Sequence, residues 1–74
     1  MSVTKVIELV GSSDKSWEDA VRSAVQEAAM TVKNISSVSV RNLMAEVADG
    51  SVKNFRADVR LSFTVENTMR HHPV

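Results

Sequence analysis

Three arginines and an aspartate fall at alternating or neighbouring positions in the second half of the chain. Arg56, Asp58 and Arg60 are separated by one residue each, and Arg41 lies in the extended segment before them. Alternate residues of a β-strand point to the same face of a sheet, so these side chains are expected to share one polar face. Guanidinium groups bind phosphate and carboxylate in a bidentate manner. The pattern therefore has two interpretations, an anion site centred on Arg56 or a charge-balanced face that meets another subunit.

Acidic and histidine side chains offer a second kind of chemistry. Glu46, Asp49 and Glu66 would bind a hard cation through oxygen atoms if a symmetry axis brought them together, and otherwise they are solvated. His71 and His72 are adjacent near the C-terminus, where adjacent histidines in a frayed segment make a poor metal site by themselves. The metal ligands, if there are any, are therefore left open.

The sequence contains no arrangement of residues that is typical of a catalytic site. There is no cysteine, and no histidine is placed to activate Ser12, Ser13 or Asp14 as part of a nucleophilic site. With only two glycines, the chain also has no glycine-rich phosphate loop. We expect a protein that is not an enzyme.

Length and charge limit the class of protein. Seventy-four residues form one domain, which buries too little surface to be stable alone without a disulfide, a metal or oligomerisation. The absence of cysteine excludes a disulfide, and the only histidines, His71 and His72, are adjacent in the tail and cannot form a buried metal site, so oligomerisation is the expected solution. Nine basic residues balance nine acidic ones, which disfavours nucleic acid and anionic membranes as partners. The first eleven residues are too polar for a signal peptide or membrane span, so a cytoplasmic protein is expected.

The elements that position these residues can be read from periodicity. Residues 3–10 are β-branched and apolar on both faces, as in a strand that is covered on both sides. Ser16 is typical of a helix N-cap, with Asp19 at the third position of a capping box. Apolar residues at 3-4 spacing predict a helix over residues 17–33 that is rich in alanine, with Asn34 as its C-cap. Trp17 lies on this apolar stripe, which favours packing over ligand contact.

The rest of the chain predicts a long hairpin. Asp49-Gly50 is a two-residue turn signal, since both residues tolerate positive φ. A tight turn sets the register of the two strands. It predicts these opposed pairs: Ala48 with Ser51, Met44 with Phe55, Val40 with Val59, Val38 with Leu61, Arg41 with Asp58, Leu43 with Arg56, and Ser37 with Ser62. The strands are too long for one short helix to cover, so their ends should be covered by other subunits.

This order of elements resembles the dodecin family over residues 3–66. The resemblance rests on Lys5 to Gly11, on Ser16 to Ala20, on Asn34-Ile35, on the Asp49-Gly50 turn and on the ending Ser62 to Glu66. It implies an α+β fold of β-α-β-β order, a three-stranded antiparallel sheet wrapped around one helix. The domain would span residues 1–66, followed by a flexible tail at 67–74. It further implies a hollow homododecameric shell that stores or buffers flavin, such as riboflavin or its phosphate, without catalysis.

The resemblance also implies where a flavin would bind. Members of the family hold the ring with a tryptophan in the second strand and a glutamine in the third. These positions fall on Ser37 and Arg56, so both usual residues are replaced. The resemblance implies that some dodecins without the stacking tryptophan handle ions or other small anions instead, and this chain is more similar to that branch.

Three functions remain open at this point. The first is a dodecin-like shell that sequesters a small ligand. The second is a shell that binds an ion or small anion, or that serves as a scaffold. The third is a small nucleic-acid module that uses the arginine face, which the zero net charge and the lack of aromatic residues on that face disfavour.

Overall fold

The computed structural model describes residues 2–66. In chain order these residues form β1 (Ser2–Ser13), α1 (Trp17–Ala29), β2 (Ile35–Ala48) and β3 (Ser51–Glu66). The strands make one antiparallel sheet in the order β1-β3-β2, with β3 in the middle. The predicted α+β fold and β-α-β-β order are confirmed. The tail predicted at 67–74, with His71 and His72, lies outside the described residues.

The start of α1 is fixed by a small network of side chains. Ser16 is the N-cap, and its hydroxyl accepts a hydrogen bond from the backbone N–H of Asp19 at 3.0 Å. The Asp19 carboxylate does not return a bond to the Ser16 backbone, so the predicted capping box is only half formed. Instead it accepts a hydrogen bond from the Ser13 hydroxyl at 2.8 Å, which ties the helix to the end of β1.

The helix ends earlier than its periodicity predicts. It stops at Ala29, and the prediction that it reaches residue 33 is wrong. The backbone N–H groups of Thr31 and Val32 both donate to the Ala28 carbonyl, which closes the last turn. Asn34 then adopts a left-handed conformation, with φ at 63°, and turns the chain into β2. No helix within residues 2–66 has the length and apolar content needed to cross a bilayer.

The buried core is small and lies where α1 packs on β1 and β3. Gly11 of β1 allows the helix to approach closely, because the nearest atoms of Ala20 and Ala24 leave no room for a side chain there. The largest fully buried side chains are those of Val59 and Leu61. The buried hydrophobic residues are Ala20, Ala24, Ala28, Ala57, Val59 and Leu61.

The predicted turn and much of the predicted hairpin register are confirmed. Asp49 and Gly50 both have positive φ, at 53° and 74°, as a tight hairpin turn requires. Four predicted pairs occur in the structure: Ala48 with Ser51, Val40 with Val59, Val38 with Leu61, and Ser37 with Ser62.

Three predicted pairs are wrong because the hairpin contains irregularities. Phe55 pairs with Ala45 instead of Met44, Asp58 with Asn42 instead of Arg41, and Arg56 with Met44 instead of Leu43. The register shifts by one residue between Glu46 and Val47 and shifts back between Val40 and Asn42, and a third shift lies between Ile35 and Ser37. An extra residue on one strand re-aims the side chains that follow it. Leu43, not Met44, therefore lies on the helix side of the sheet.

The described chain is long and leaves much apolar surface uncovered. Its radius of gyration is 16.2 Å, whereas a compact domain of this length has one of about 11 Å. Large apolar side chains outside the core are exposed on α1, at its C-cap and on all three strands. They are Val3, Val6, Val10, Trp17, Met30, Val38, Val40, Leu43, Met44, Val47 and Val52. One helix therefore leaves much of the sheet uncovered, as the lengths of helix and hairpin predict.

Candidate functional site

The side of the sheet that faces away from α1 carries the predicted polar site, and we call it the open face. On β3 its residues are Arg56, Asp58, Arg60, Ser62 and Thr64, which alternate with the buried residues of the core. Strand pairing places Glu8 of β1 opposite Arg60 on this face. The arginines expected to share one polar face of β3 therefore do so.

Ser37 and Arg56 both lie on the open face, but at a distance from each other. Ser37 pairs with Ser62, which is six residues along β3 from Arg56. At a rise of about 3.3 Å per residue, this separation is roughly 20 Å. A ligand the size of a flavin ring cannot touch both residues of one chain. A site that uses both positions must therefore combine residues from more than one copy.

Arg56 has a carboxylate partner within its own chain. Its Nη1 lies 3.6 Å from Oε2 of Glu46 on β2; the Arg56 side chain is 39% exposed and that of Glu46 is 58% exposed. Exposed ion pairs of this kind contribute little to stability, so Glu46 can be exchanged for another anion at small cost. Arg56 is thus available for ligand binding in a way that a buried, paired guanidinium is not.

Arg60 is held more tightly. Its Nη2 donates a hydrogen bond to Oε2 of Glu8 at 2.7 Å. The hydrogen bond from Arg60, the charge of Arg60 and the charge of Arg41 together lower the pKa of Glu8 below its ordinary value. The Nε of Arg60 is buried and has no hydrogen-bond partner within residues 2–66. Arg60 therefore links β3 to β1, and it is a poorer candidate than Arg56 for binding an exchangeable anion.

Arg41 does not face Asp58 as predicted. It is the extra residue of a bulge in β2, and its neighbour Asn42 takes the position opposite Asp58. A groove of about 500 Å³ lies beside this bulge, lined by both charged and apolar residues. Its lining residues are Glu8, Leu9, Val10, Arg41, Asn42, Asp58 and Val59.

The carboxylates proposed for a hard cation do not form a site in one chain. Among residues 3–65, whose side chains the structure describes, no group of three histidine, cysteine, aspartate or glutamate side chains is placed to hold a metal ion. Glu46 is directed to Arg56, and Asp49 lies at the hairpin turn. A cation site made of Glu46, Asp49 and Glu66 from several copies stays a prediction.

The aromatic residues all belong to the helix side of the sheet. The sequence has one tryptophan, two phenylalanines and no tyrosine. Trp17 packs its ring edge-on against Phe55 with centroids 5.0 Å apart, and its indole N–H donates to the Met44 carbonyl at 2.8 Å. Phe63 lies on the same side, two residues after the buried Leu61. The open face therefore offers no aromatic ring on which a flavin could stack.

One feature of the surface is not apparent from the sequence. A groove of about 580 Å³, almost entirely apolar, runs between α1 and β2. Trp17 lies at one end of it, and Val38, Val40 and Leu43 form its β2 wall. On the α1 side the groove is lined by Val21 and Val25, of which Val21 also packs, half-buried, against the core of the same chain.

Comparison with known proteins identifies the family. A family model described as dodecin matches residues 3–66. The chain is 27% identical to a dodecin of Thermus thermophilus over 66 residues, which cover 89% of this chain and 96% of that protein. It is 36% identical to the calcium dodecin of Mycobacterium tuberculosis over 63 residues, which cover 85% and 89%.

Solved structures agree with the sequence comparison. The dodecin of Streptomyces coelicolor superposes with a TM-score of 0.84 at 29% identity, covering 88% of this chain and 93% of that one. The calcium dodecin of Mycobacterium tuberculosis superposes with a TM-score of 0.76 at 32% identity, covering 97% and 99%. With the family model matching most of its length and the β-α-β-β fold in agreement, this chain belongs to the dodecin family.

Proposed function

We propose that this chain is a subunit of a homododecameric hollow shell that binds a small ion, either a cation or an anion, instead of a stacked flavin. The observation that carries the proposal is that no aromatic side chain lies on the open face, where the resemblance to dodecins assigns the flavin positions to Ser37 and Arg56. The role is one of binding and storage, without a catalytic step.

The need for other copies follows from the small core and the exposed apolar residues. Burial of apolar surface is the main favourable term in folding, and here most large apolar side chains are uncovered in the single chain. Contiguous exposed apolar surface marks sites of association. The roughly 20 Å between Ser37 and Arg56 leads to the same conclusion, because only neighbouring copies can bring these positions together.

The loss of flavin stacking can be expressed as a free energy. An aromatic pair contributes about 0.5–1.5 kcal/mol beyond the area that it buries. The serine hydroxyl at position 37 supplies neither the stacking surface nor the buried area of an indole. Since about 1.4 kcal/mol corresponds to a tenfold change in affinity, the combined loss weakens binding by orders of magnitude.

Two observations favour an ionic ligand. Arg56 presents a guanidinium at a position where its only close carboxylate, within the described residues, is the exposed Glu46. A relative that is 36% identical carries the name calcium dodecin. The first observation supports a phosphate or carboxylate, and the second supports a divalent cation coordinated by carboxylates of several copies. The zero net charge again disfavours nucleic acid.

The proposal is tested by titrating the purified protein with riboflavin and following the quenching of flavin fluorescence. We expect a Kd of tens of micromolar or weaker, as an order of magnitude. The absorption spectrum of the protein as purified should lack a flavin band. Submicromolar riboflavin binding would contradict the proposal and would mean that other residues, such as Trp17, hold the ring. Calorimetric titrations with calcium chloride and with inorganic phosphate then distinguish a cation from an anion.

The anion form of the proposal makes Arg56 the main contact. Arg56→Gln should weaken the binding of inorganic phosphate by about ten- to a hundredfold, because hydrogen bonds to charged groups contribute roughly 1.5–3 kcal/mol. Lys15→Gln is the control, since Lys15 is also an exposed cation but lies in the loop before α1, away from the open face and the groove. Calorimetry on both variants measures the effect. Equal affinities in the two variants would exclude Arg56 as the anion contact.

A further inference from the structure

The helix covers only two of the three strands. α1 packs on β1 and β3, while the helix side of β2 is left bare and forms one wall of the apolar groove. Val38, Val40 and Leu43 are between 38% and 49% exposed there. A groove of about 580 Å³ lined in this way is unfavourable in water, so some group should fill it.

The same apolar surface continues to the tip of the hairpin. Val47 and Val52 pair directly across the two strands beside the Asp49-Gly50 turn and are 65% and 51% exposed. The bulge between Glu46 and Val47 places this pair on the helix side of the sheet. We call the segment from Val47 to Val52 the apolar tip. The apolar tip is the end of a two-stranded hairpin, so it can enter a groove on another molecule.

The apolar tip cannot enter the groove of its own chain. Val47 follows Leu43 by four residues on the same extended strand, which places it about 13 Å further along. The strand forms the wall of the groove and cannot fold back over itself. The occupant must therefore come from outside the chain.

We infer that the groove between α1 and β2 receives the apolar tip of a second copy. This inference rests on the proposed shell and names the contact that builds it. Two valine side chains match the apolar lining. Glu18 and Arg22 line the groove and pair with each other at 3.4 Å, and Lys53 after the tip and Asp49 within it carry the charges opposite to these two.

The form of this contact agrees with a closed shell. Tip and groove are different surfaces, so each copy gives one tip and accepts another, which is a heterologous contact. Such a contact generates a ring where its rotation closes, and a second contact between rings completes a shell. A face that paired with its own counterpart would stop at a dimer.

The contact can be tested with engineered thiols, because the chain has no cysteine of its own. Subunits carrying Val47→Cys are mixed with subunits carrying Val25→Cys in denaturant, refolded together and oxidised. A disulfide needs Cα atoms within about 7 Å of each other. We expect a covalent dimer that joins the two kinds of subunit, identified by mass spectrometry. Val47→Cys mixed with Met30→Cys is the control, since Met30 follows the same helix but lies outside the groove.

The outcomes separate this inference from the proposed function. If light scattering shows an assembly but Val25→Cys forms no mixed disulfide and reacts freely with a small thiol reagent, the groove is open and the inference is wrong. If Val25→Cys is protected but Val47→Cys is not joined to it, another segment or a bound molecule fills the groove, and the inference is again wrong. A parent protein that remains monomeric would overturn the proposed shell itself.

Discussion

The double variant Ser37→Trp with Arg56→Gln is expected to bind riboflavin about two to three orders of magnitude more tightly than the parent. The tryptophan would restore a stacking surface on the open face, and the glutamine would replace a charged guanidinium by an amide that can hydrogen-bond the ring. Fluorescence titration measures the gain. Because the two positions are roughly 20 Å apart in one chain, the gain should appear only in the assembled protein.

A displaced tryptophan provides the control for this gain. Ser39 lies on the open face like Ser37, but two residues further along β2 and opposite Arg60. Ser39→Trp with Arg56→Gln changes the composition in the same way and should bind riboflavin little better than the parent. If the Ser37 double variant assembles and shows no gain either, the bulge beside Ser36 has changed the pocket, and a flavin origin for this site would be rejected.

Gly11→Ala is expected to abolish assembly. A Cβ at position 11 would lie 2.1 Å from the Ala20 carbonyl oxygen and 3.0 Å from the Ala24 Cβ. The oxygen belongs to helix backbone and cannot rotate away, so α1 must lift from the sheet. Over-packing of a core typically costs about 1–3 kcal/mol, and occasionally more, and a core built mainly of alanine has little stability to lose. Light scattering and urea denaturation measure the loss.

The second glycine provides the matched control. Gly50 has φ at 74°, so Gly50→Ala strains the turn, but its Cβ would meet no atom within 4 Å. Only the backbone cost of roughly 1 kcal/mol applies there. Gly50→Ala should therefore still assemble. A Gly11→Ala variant as stable as Gly50→Ala would show that α1 does not pack as closely on β1 as the structure has it.

The hairpin shows which parts of the strand register periodicity alone predicts and which it does not. The Asp49-Gly50 signal predicts the turn, and the pairs near Val40 and Val59 are predicted correctly because the shift between Glu46 and Val47 is cancelled by that between Val40 and Asn42. Each of the three register shifts falls where two polar residues separate two apolar ones. These places are Ser36-Ser37 between Ile35 and Val38, Arg41-Asn42 between Val40 and Leu43, and Lys53-Asn54 between Val52 and Phe55. In this hairpin, two apolar residues separated by two polar ones therefore mark the position of a bulge. A prediction that applies one register to the whole hairpin does not take this spacing into account.

The end of α1 and the candidate site were less predictable, for different reasons. Val32 continues the helical spacing, but the left-handed Asn34 belongs to the turn into β2 and not to a helix that reaches residue 33. The resemblance assigns the flavin positions to Ser37 and Arg56, which stays a prediction, and their separation within one chain depends on strand pairing. The proposed completion of this site by other copies has no local pattern in the sequence.

The chain is expected to function only as an assembly of many copies. Static light scattering of the purified parent should give a mass near 97 kDa, which is twelve copies of the 8.1-kDa chain. Such an assembly would cover the exposed apolar residues that one chain leaves in water. A folded monomer of about 8 kDa at micromolar concentration would contradict the account.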